Sequence, residues 1–191
     1  MPARLVLLRH GATEWSLSGQ HTGRTDIPLL EEGCEQAKVA GGIMREHGLT
    51  DFGLVLTSPL VRAAETCELA GFNGQVEPDL MEWDYGAYEG LTTAEIRQRQ
   101  PGWSLWEDGV PGGERVSDVG RRADRVLERV RASEGDSLCV AHGHLLRVLA
   151  ARWLGLPPVA GRLFLIRPGG ISVLGWDYEW PAIEVWNRGP G

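Results

Sequence analysis

The sequence predicts an α/β fold: a mainly parallel central sheet flanked by helices on both faces. Three observations carry this reading. Apolar runs at residues 5–8, 54–56 and 137–141 have strand length without alternation, as strands covered on both faces do. Each run is followed by a segment of helical periodicity, and a βα alternation is built as a parallel sheet under helices. The chain of 191 residues also contains no linker, internal repeat or low-complexity tract, so it reads as a single domain over residues 1–191.

Composition narrows the class. With 42% hydrophobic and 24% charged residues the chain has the balance of an ordinary soluble globular protein. A net charge of −7 argues against nucleic acid and anionic membrane as partners, and any anionic ligand must be held by a local positive cluster. No basic segment followed by a long apolar stretch marks a signal peptide, and no apolar run has the length of a membrane span. Cys34, Cys67 and Cys139 are odd in number and far apart, and read as small buried hydrophobes rather than a disulfide framework or a metal site. A cytoplasmic location is expected.

In order, the opening strand runs into Arg9-His10-Gly11-Ala12-Thr13-Glu14-Trp15, and residues 16–26 form a polar, glycine-punctuated loop of functional length. Residues 31–47 read as a helix with Cys34, Ala37, Ala40, Gly41 and Met44 on one face and Gly48 as its stop; Glu31 and Glu32 suit its first turn, and Leu30 is a poor cap. After the second run, Ser58 is placed to cap and Pro59 to begin a helix that turns Leu60, Ala63, Ala64 and Cys67 inward and ends near Gly71. Residues 76–80 read as extended, and residues 81–90 are rich in carboxylates, aromatics and glycine. Thr92 and Glu95 make a capping box for a short helix that Pro101 ends. Residues 102–113 lack periodicity and read as an excursion, a candidate lid.

A long helix over residues 114–133 has the stripe Val116, Val119, Ala123, Val126, Leu127, Val130. Its arginines (Arg121, Arg122, Arg125, Arg129, Arg131), interleaved with Asp124 and Glu128, read as a solvated face. The third run ends in His142-Gly143-His144, and a helix over 145–154 stops at Gly155. Three short strands, 163–166, 171–176 and 182–186, complete the chain.

An arginine and a histidine at the end of a buried strand, before a glycine turn, are not what packing asks for, because both lose hydration there. A solvated arginine and a satisfied turn histidine would account for one such pair. The pair has company, however. Arg62 lies in the first turn of the helix after the second strand, and His142 ends the third. In open α/β sheets ligands sit at the carboxyl ends of strands. With those ends adjacent, two histidines and two arginines converge. Neither His-x-His nor the glutamate spacing gives a zinc helix motif, and guanidinium groups suit an oxyanion better than a metal. The cluster reads as an oxyanion site with a nucleophile in it, and no metal or cofactor is expected.

These residues resemble the histidine phosphatase superfamily, in its phosphoglycerate mutase-like branch with the Arg-His-Gly signature. The matching pieces are Arg9-His10-Gly11-x-Thr13, Ser58-Pro59 with Arg62, Glu82-x-x-x-Gly86-x-x-Glu89-Gly90, Gly112-Gly113-Glu114 and Ala141-His142-Gly143, in the family's order across nearly the whole chain. The resemblance implies a three-layer sandwich and a phosphohistidine formed on His10. It implies that Arg9, Arg62 and His142 hold the phosphoryl oxygens, and that Glu82 protonates the leaving oxygen and then deprotonates the attacking water. Resemblance and position make Ser16, Thr22, Gly23, Tyr85, Gly143 and His144 the expected substrate contacts. His10 must be neutral to attack and His142 serves best as a cation, so their pKa values are expected to be pushed apart.

The mutases carry an asparagine where this chain has Ser16 and a longer insertion after the Glu82 segment, and both are missing here. The run from Trp15 to Leu29, with Glu82-Trp83-x-Tyr85-Gly86-x-Tyr88-Glu89-Gly90 and Trp106-x-Asp108-Gly109, looks more like sugar bisphosphatases of the sedoheptulose-1,7-bisphosphatase kind, and broad-specificity phosphatases share many of these residues. The expectation is therefore a metal-independent phosphomonoesterase acting on a small phosphorylated metabolite, a sugar phosphate. A phosphoglycerate mutase is one alternative. A phosphoprotein-binding module or phosphoprotein phosphatase is another, with a pocket rimmed by Trp83, Tyr85, Trp103 and Trp106. Homo-oligomerisation is left open.

Overall fold

A computed structural model of the chain describes residues 3–189. Strands β1 (Leu5–Arg9), β2 (Leu54–Thr57), β3 (Gln75–Val76), β4 (Ser137–Ala141), β5 (Ile171–Asp177) and β6 (Trp180–Arg188) form one sheet in the order β3-β2-β4-β1-β5-β6. The pairings β2–β3, β2–β4 and β1–β4 are parallel, whereas β5 lies antiparallel to β1 and β6 antiparallel to β5. The helices are α1 (Glu14–Ser18), α2 (Glu31–Glu46), α3 (Val61–Leu69), α4 (Thr93–Arg99), α5 (Leu105–Asp108), α6 (Val116–Ala132) and α7 (Gly143–Trp153).

The unalternated run of β1 explains the layering. Successive side chains of a strand point to opposite faces. Leu5 and Leu7 enter the core that contains α6 and α7, while Val6 and Leu8 enter the core that contains α2 and α3. One central strand thus anchors two cores, and the sheet is covered on both faces, as expected. Among the described residues no helix is long and apolar enough to cross a membrane.

Several elements differ from expectation, each for a local reason. The expected 16–26 loop begins in a helix, since Glu14–Ser18 are helical. Thr13 and Ser16 cap each other reciprocally, with serine in the place where the usual box has Glu or Gln. Helix α3 starts at Val61 rather than Pro59, because Ser58 N donates to Val140 O (3.0 Å) and prolongs the β2–β4 ladder. Residues Pro78–Leu80 form a 3-10 turn capped by Glu77, not an extended segment. Residues 163–166 are not a strand: a 3-10 run, Pro158–Leu163, leads into them, and their carbonyls take side-chain donors instead of a ladder.

The 102–113 excursion packs inward rather than covering the site as a lid. Trp103 is buried and its indole N–H donates to Gly109 O (2.9 Å). Trp83 and Tyr85 are buried too, so the expected aromatic rim is largely core. On α2, Gly33 is buried while Cys34 is only half-buried. A Cβ on Gly11 would lie 2.1 Å from Gly33 O, so the α2 backbone crosses the turn after β1 at a distance that only glycine allows.

The arginine face of α6 is not simply solvated. Arg122 is buried, forks onto Glu114 (2.8 and 2.8 Å) and donates to Asp79 O and Met81 O (2.7 and 2.8 Å). Arg125 pairs with Asp79 and Arg129 with Glu77. These arginines clamp the segment that leads into Glu82.

Candidate active site

Strand register builds the site. Arg9 pairs with Ala141 across β1 and β4, and His10 N donates to Ala141 O (2.9 Å). His10 and His142 therefore leave neighbouring parallel strands at the same end, with ring centroids 5.2 Å apart. Helix α3 follows β2, the other neighbour of β4, and brings Arg62 to that end. Gly11 N donates to Thr66 Oγ1 (3.1 Å), which donates to Arg62 O (2.6 Å), so the turn after β1 and α3 are tied together.

His10 is 4% exposed, and its Nδ1 lies 2.7 Å from Gly11 O. A carbonyl only accepts, so Nδ1 carries the proton. Burial first, then the charges of Arg9 and Arg62, hold the His10 pKa well below 6.5. The imidazole is neutral near neutral pH, and its lone pair sits on Nε2. This is the protonation state that a nucleophile needs.

Arg9 donates from Nη1 to Ile166 O (2.6 Å), and its Nε is buried without a partner among the described residues. An orphaned buried N–H costs free energy unless a ligand meets it. Gly143 makes room for this guanidinium, since a Cβ there would come within 3.2 Å of Arg9 Cζ. Glu82 is 5% exposed and sits against the N-terminus of α7. Its Oε1 accepts from Trp83 N and Leu145 N (2.9 and 2.9 Å) and its Oε2 from His144 N (2.9 Å). A carboxylate offers about four lone-pair directions. Three are taken, and the fourth is on Oε2.

Arg62 is fully buried and spends four hydrogen bonds on the protein. Nε donates to His142 Nδ1 (3.2 Å), Nη1 to Thr25 O (2.9 Å), and Nη2 to Thr22 O and Gly23 O (3.2 and 3.1 Å). One Nη1 proton remains. His142 accepts at Nδ1, so its proton lies on Nε2, 2.7 Å from Ser58 Oγ. Burial, followed by Arg62, His10 and Arg9, holds its pKa well below 6.5. The two histidines are therefore both driven neutral, not pushed apart. Burial is the main cause for both, and at His142 Arg62 adds to it, because its Nε–H occupies the nitrogen that a cation would need to protonate.

A cleft of about 430 Å³ opens at this end of the sheet. Arg9, His10 and Glu82 line it, with Ser16, Thr22, Tyr85, Gly143 and His144 from the expected contacts. Gly23, Arg62 and His142 lie behind its wall. Gly23 N is held by Glu89 Oε1 (2.8 Å), and a Cβ there would meet Trp83 O at 2.5 Å. The Ser16 hydroxyl already donates to Thr13 O (2.9 Å), and that of Thr22 to Gln20 O (3.2 Å). The Tyr85 hydroxyl lies 2.6 Å from His144 Nδ1. Burial raises the tyrosine pKa well above 10 and lowers the histidine's well below 6.5, so the bond joins a neutral phenol to a neutral imidazole.

His21, Arg147 and Arg167 also line the cleft and were missed. Arg147 was within reach of the sequence, because it follows Gly143 and His144 by four and three positions on one helix and so shares their face. Among the described residues no group of three or more His, Cys, Asp or Glu side chains is placed to hold a metal ion.

The sequence model of the histidine phosphatase superfamily, branch 1, matches residues 5–189. An acid phosphatase of Mycobacterium tuberculosis is 43% identical over 178 residues, 92% of this chain and 87% of the relative. The sedoheptulose 1,7-bisphosphatase of Saccharomyces cerevisiae is 36% identical over 184 residues, 80% of this chain and 68% of the relative. The solved structure of an open reading frame from Mycobacterium tuberculosis superimposes with a TM-score of 0.92 at 40% identity, covering 99% of each chain. With the Arg9-His10-Gly11 turn and His142 side by side at the head of a mainly parallel sheet, the chain is a phosphatase enzyme belonging to branch 1 of the histidine phosphatase superfamily.

Proposed function

We propose that the chain hydrolyses phosphomonoesters of small metabolites, sugar phosphates in particular, through a covalent phosphohistidine at His10 Nε2. The observation that carries the reading is the His10–Gly11 hydrogen bond. It fixes the Nδ1–H tautomer and leaves the Nε2 lone pair free, in a residue that shares its cleft with a guanidinium that has an unpartnered N–H and a carboxyl group that has an unused lone pair.

In the first step the Nε2 lone pair attacks phosphorus and the ester P–O bond breaks. The leaving oxygen takes a proton from Glu82 Oε2. In the second step water attacks phosphorus, Glu82 Oε2 takes its proton, and the P–N bond breaks to release phosphate and regenerate neutral His10. Phosphoryl transfer runs through a loose transition state with charge on the equatorial oxygens, so fixed cations and N–H donors do most of the work. Arg9 Nε and the remaining Nη1 proton of Arg62 are the guanidinium donors for those oxygens in this reading. Each charge-assisted bond contributes roughly 1.5–3 kcal/mol. His142, saturated by Arg62 and Ser58, acts by holding the His10 ring in place.

The test is phosphate release in EDTA by wild type and His10→Ala, with sedoheptulose bisphosphate, fructose bisphosphate, 3-phosphoglycerate and p-nitrophenyl phosphate. Alkaline quenching of wild type traps the phosphoenzyme. Release by wild type alone, with an acid-labile phosphoenzyme, is the expected result. Turnover that survives in His10→Ala would overturn the phosphohistidine. Isomerised phosphoglycerate without net phosphate release would replace hydrolysis by mutase chemistry.

A further inference from the structure

We propose that Arg147 and Arg167 form a second anion subsite in the same cleft, which receives an anionic group of the substrate remote from the phosphoryl group at His10. The inference rests on the phosphatase reading above and extends it, since it makes the preferred substrate a doubly anionic molecule.

The charge balance of the lining is the first argument. The chain carries a net charge of −7, yet the cleft wall presents Arg9, Arg147 and Arg167 against a single carboxylate, Glu82. Glu82 is already committed to three backbone N–H groups. That one carboxylate is shared between Arg9 and Arg147, and Arg167 has no ion-pair partner among the described residues. A single phosphoryl group at His10 does not need Arg147 or Arg167, and a cleft of about 430 Å³ is large enough for a whole small ligand.

The second argument is preorganisation. The Arg147 guanidinium lies 4.8 Å from the centre of the Trp106 ring, and it donates from Nε to Gly161 O and from Nη2 to Arg162 O (3.0 and 3.0 Å). Both acceptors are neutral carbonyls, and the Glu82 carboxylate acts on the charge only through space, without an ion pair. Three of its five N–H donors remain, two on Nη1 and one on Nη2. Arg167 has an exposed side chain that forms no hydrogen bond or ion pair among the described residues. Its backbone is nevertheless fixed at both ends. Arg167 N donates to Asn187 Oδ1 (2.8 Å), and Arg167 O accepts from Gly170 N (2.9 Å).

The same segment belongs to the phosphoryl end. Ile166 O, one residue earlier, anchors Arg9, and Gly169 N donates to His10 O (3.1 Å). The position of Arg167 is thereby set relative to the nucleophile. Two guanidinium groups with free donors on rigid supports suit a phosphate or a carboxylate, which accept paired N–H bonds. A neutral hydroxyl chain would leave both charges unanswered.

The experiment compares wild type with Arg167→Gln and Arg167→Glu, and uses Arg147→Met with its melting temperature as a folding control. Substrates are fructose 1,6-bisphosphate, 3-phosphoglycerate, glycerol 1-phosphate and p-nitrophenyl phosphate. Selectivity is kcat/KM for the doubly anionic ester divided by that for the neutral-tailed one. It falls by about tenfold in Arg167→Gln and further in Arg167→Glu, with the change in KM, because one charge-assisted pair is lost and then reversed. A loss on the bisphosphate alone assigns the subsite to a second phosphate, and a loss on phosphoglycerate as well extends it to carboxylates. Selectivity within about twofold of wild type in both Arg167 variants overturns the subsite. If wild type turns over none of the esters, it is the phosphatase reading that fails. Calorimetric affinities for fructose 1,6-bisphosphate against fructose 6-phosphate then decide the subsite without turnover, a tenfold preference that Arg167→Gln abolishes supporting it and equal affinities refuting it.

Discussion

Replacing Arg62 by methionine keeps much of the side-chain volume and removes every N–H donor from a fully buried position. Four acceptors lose their partner. Gly23 O and His142 Nδ1 are buried and stay unsatisfied, while Thr22 O and Thr25 O are part-buried and can turn to water. A stranded buried acceptor costs about 1–3 kcal/mol, so the buried two amount to about 2–6 kcal/mol. Relief from burying a guanidinium, whose pKa is lowered chiefly by desolvation, offsets part of this. A net loss of about 3 kcal/mol corresponds, in a domain of this size, to a melting temperature lower by about 6–12 °C. Differential scanning calorimetry with urea titration at pH 7 reads the stability, and kcat and KM on p-nitrophenyl phosphate read the site. Both should fall. A melting temperature within about 2 °C of wild type, with activity lost, would refute the reasoning, because Arg62 would then serve the substrate alone, without supporting the 22–25 loop and His142.

Two further predictions concern the fold around the site. His10, His142 and His144 have pKa values well below 6.5 and that of His21 is also lowered, in each case chiefly by burial. Below about pH 6.5 the unfolded chain takes up as many as four protons that the native state refuses, so stability is full above that pH and falls beneath it, with a limiting slope of about 5 kcal/mol per pH unit. Urea midpoints between pH 8 and pH 5 check the sign, and a midpoint that stays flat or rises on acidification contradicts the burial of neutral imidazoles. Gly11→Ala places a methyl 2.1 Å from Gly33 O, backbone against backbone, and should destabilise by more than about 3 kcal/mol. A urea midpoint equal to wild type would show that the α2 crossing can open.

How much of this was legible depends on the range of the signal. The three unalternated runs marked strands covered on both faces, and because two ran into a histidine and the third into a helix with Arg62 in its first turn, the βα order was enough to gather His10, Arg62 and His142. What these side chains do there was less legible. The protonation of His142 turns on Arg62 Nε, 80 residues away in sequence, and no spacing rule reports such a contact. The α6 arginines looked solvated because a helix's own charge pattern is silent about what lies across it, and their partners Asp79 and Glu77 are 46 and 52 residues distant. Residues 163–166 had the composition of a strand, but two of their carbonyls serve the side chains of Arg9 and Trp186, which propensity does not anticipate. Arg167 had no local signal at all.

The place of β1 in the sheet has a consequence for how the enzyme is made. The first strand of the chain is flanked by β4 and β5, the fourth and fifth, so its neighbours lie more than a hundred residues downstream; the Arg4–Asp136 contact beside β1 spans 132 residues and the Arg9–Ile166 bond 157. Contacts of such high order delay folding, because the loops they close must be ordered before the contacts can compensate. During synthesis the strand that leads to His10 emerges before its sheet neighbours and waits, apolar and unpaired, until β4 and β5 have followed. A nascent chain therefore exposes a histidine with neither its tautomer fixed by the fold nor Arg9 anchored beside it. The fixed tautomer arrives with the closing of the sheet, as a property of the folded chain.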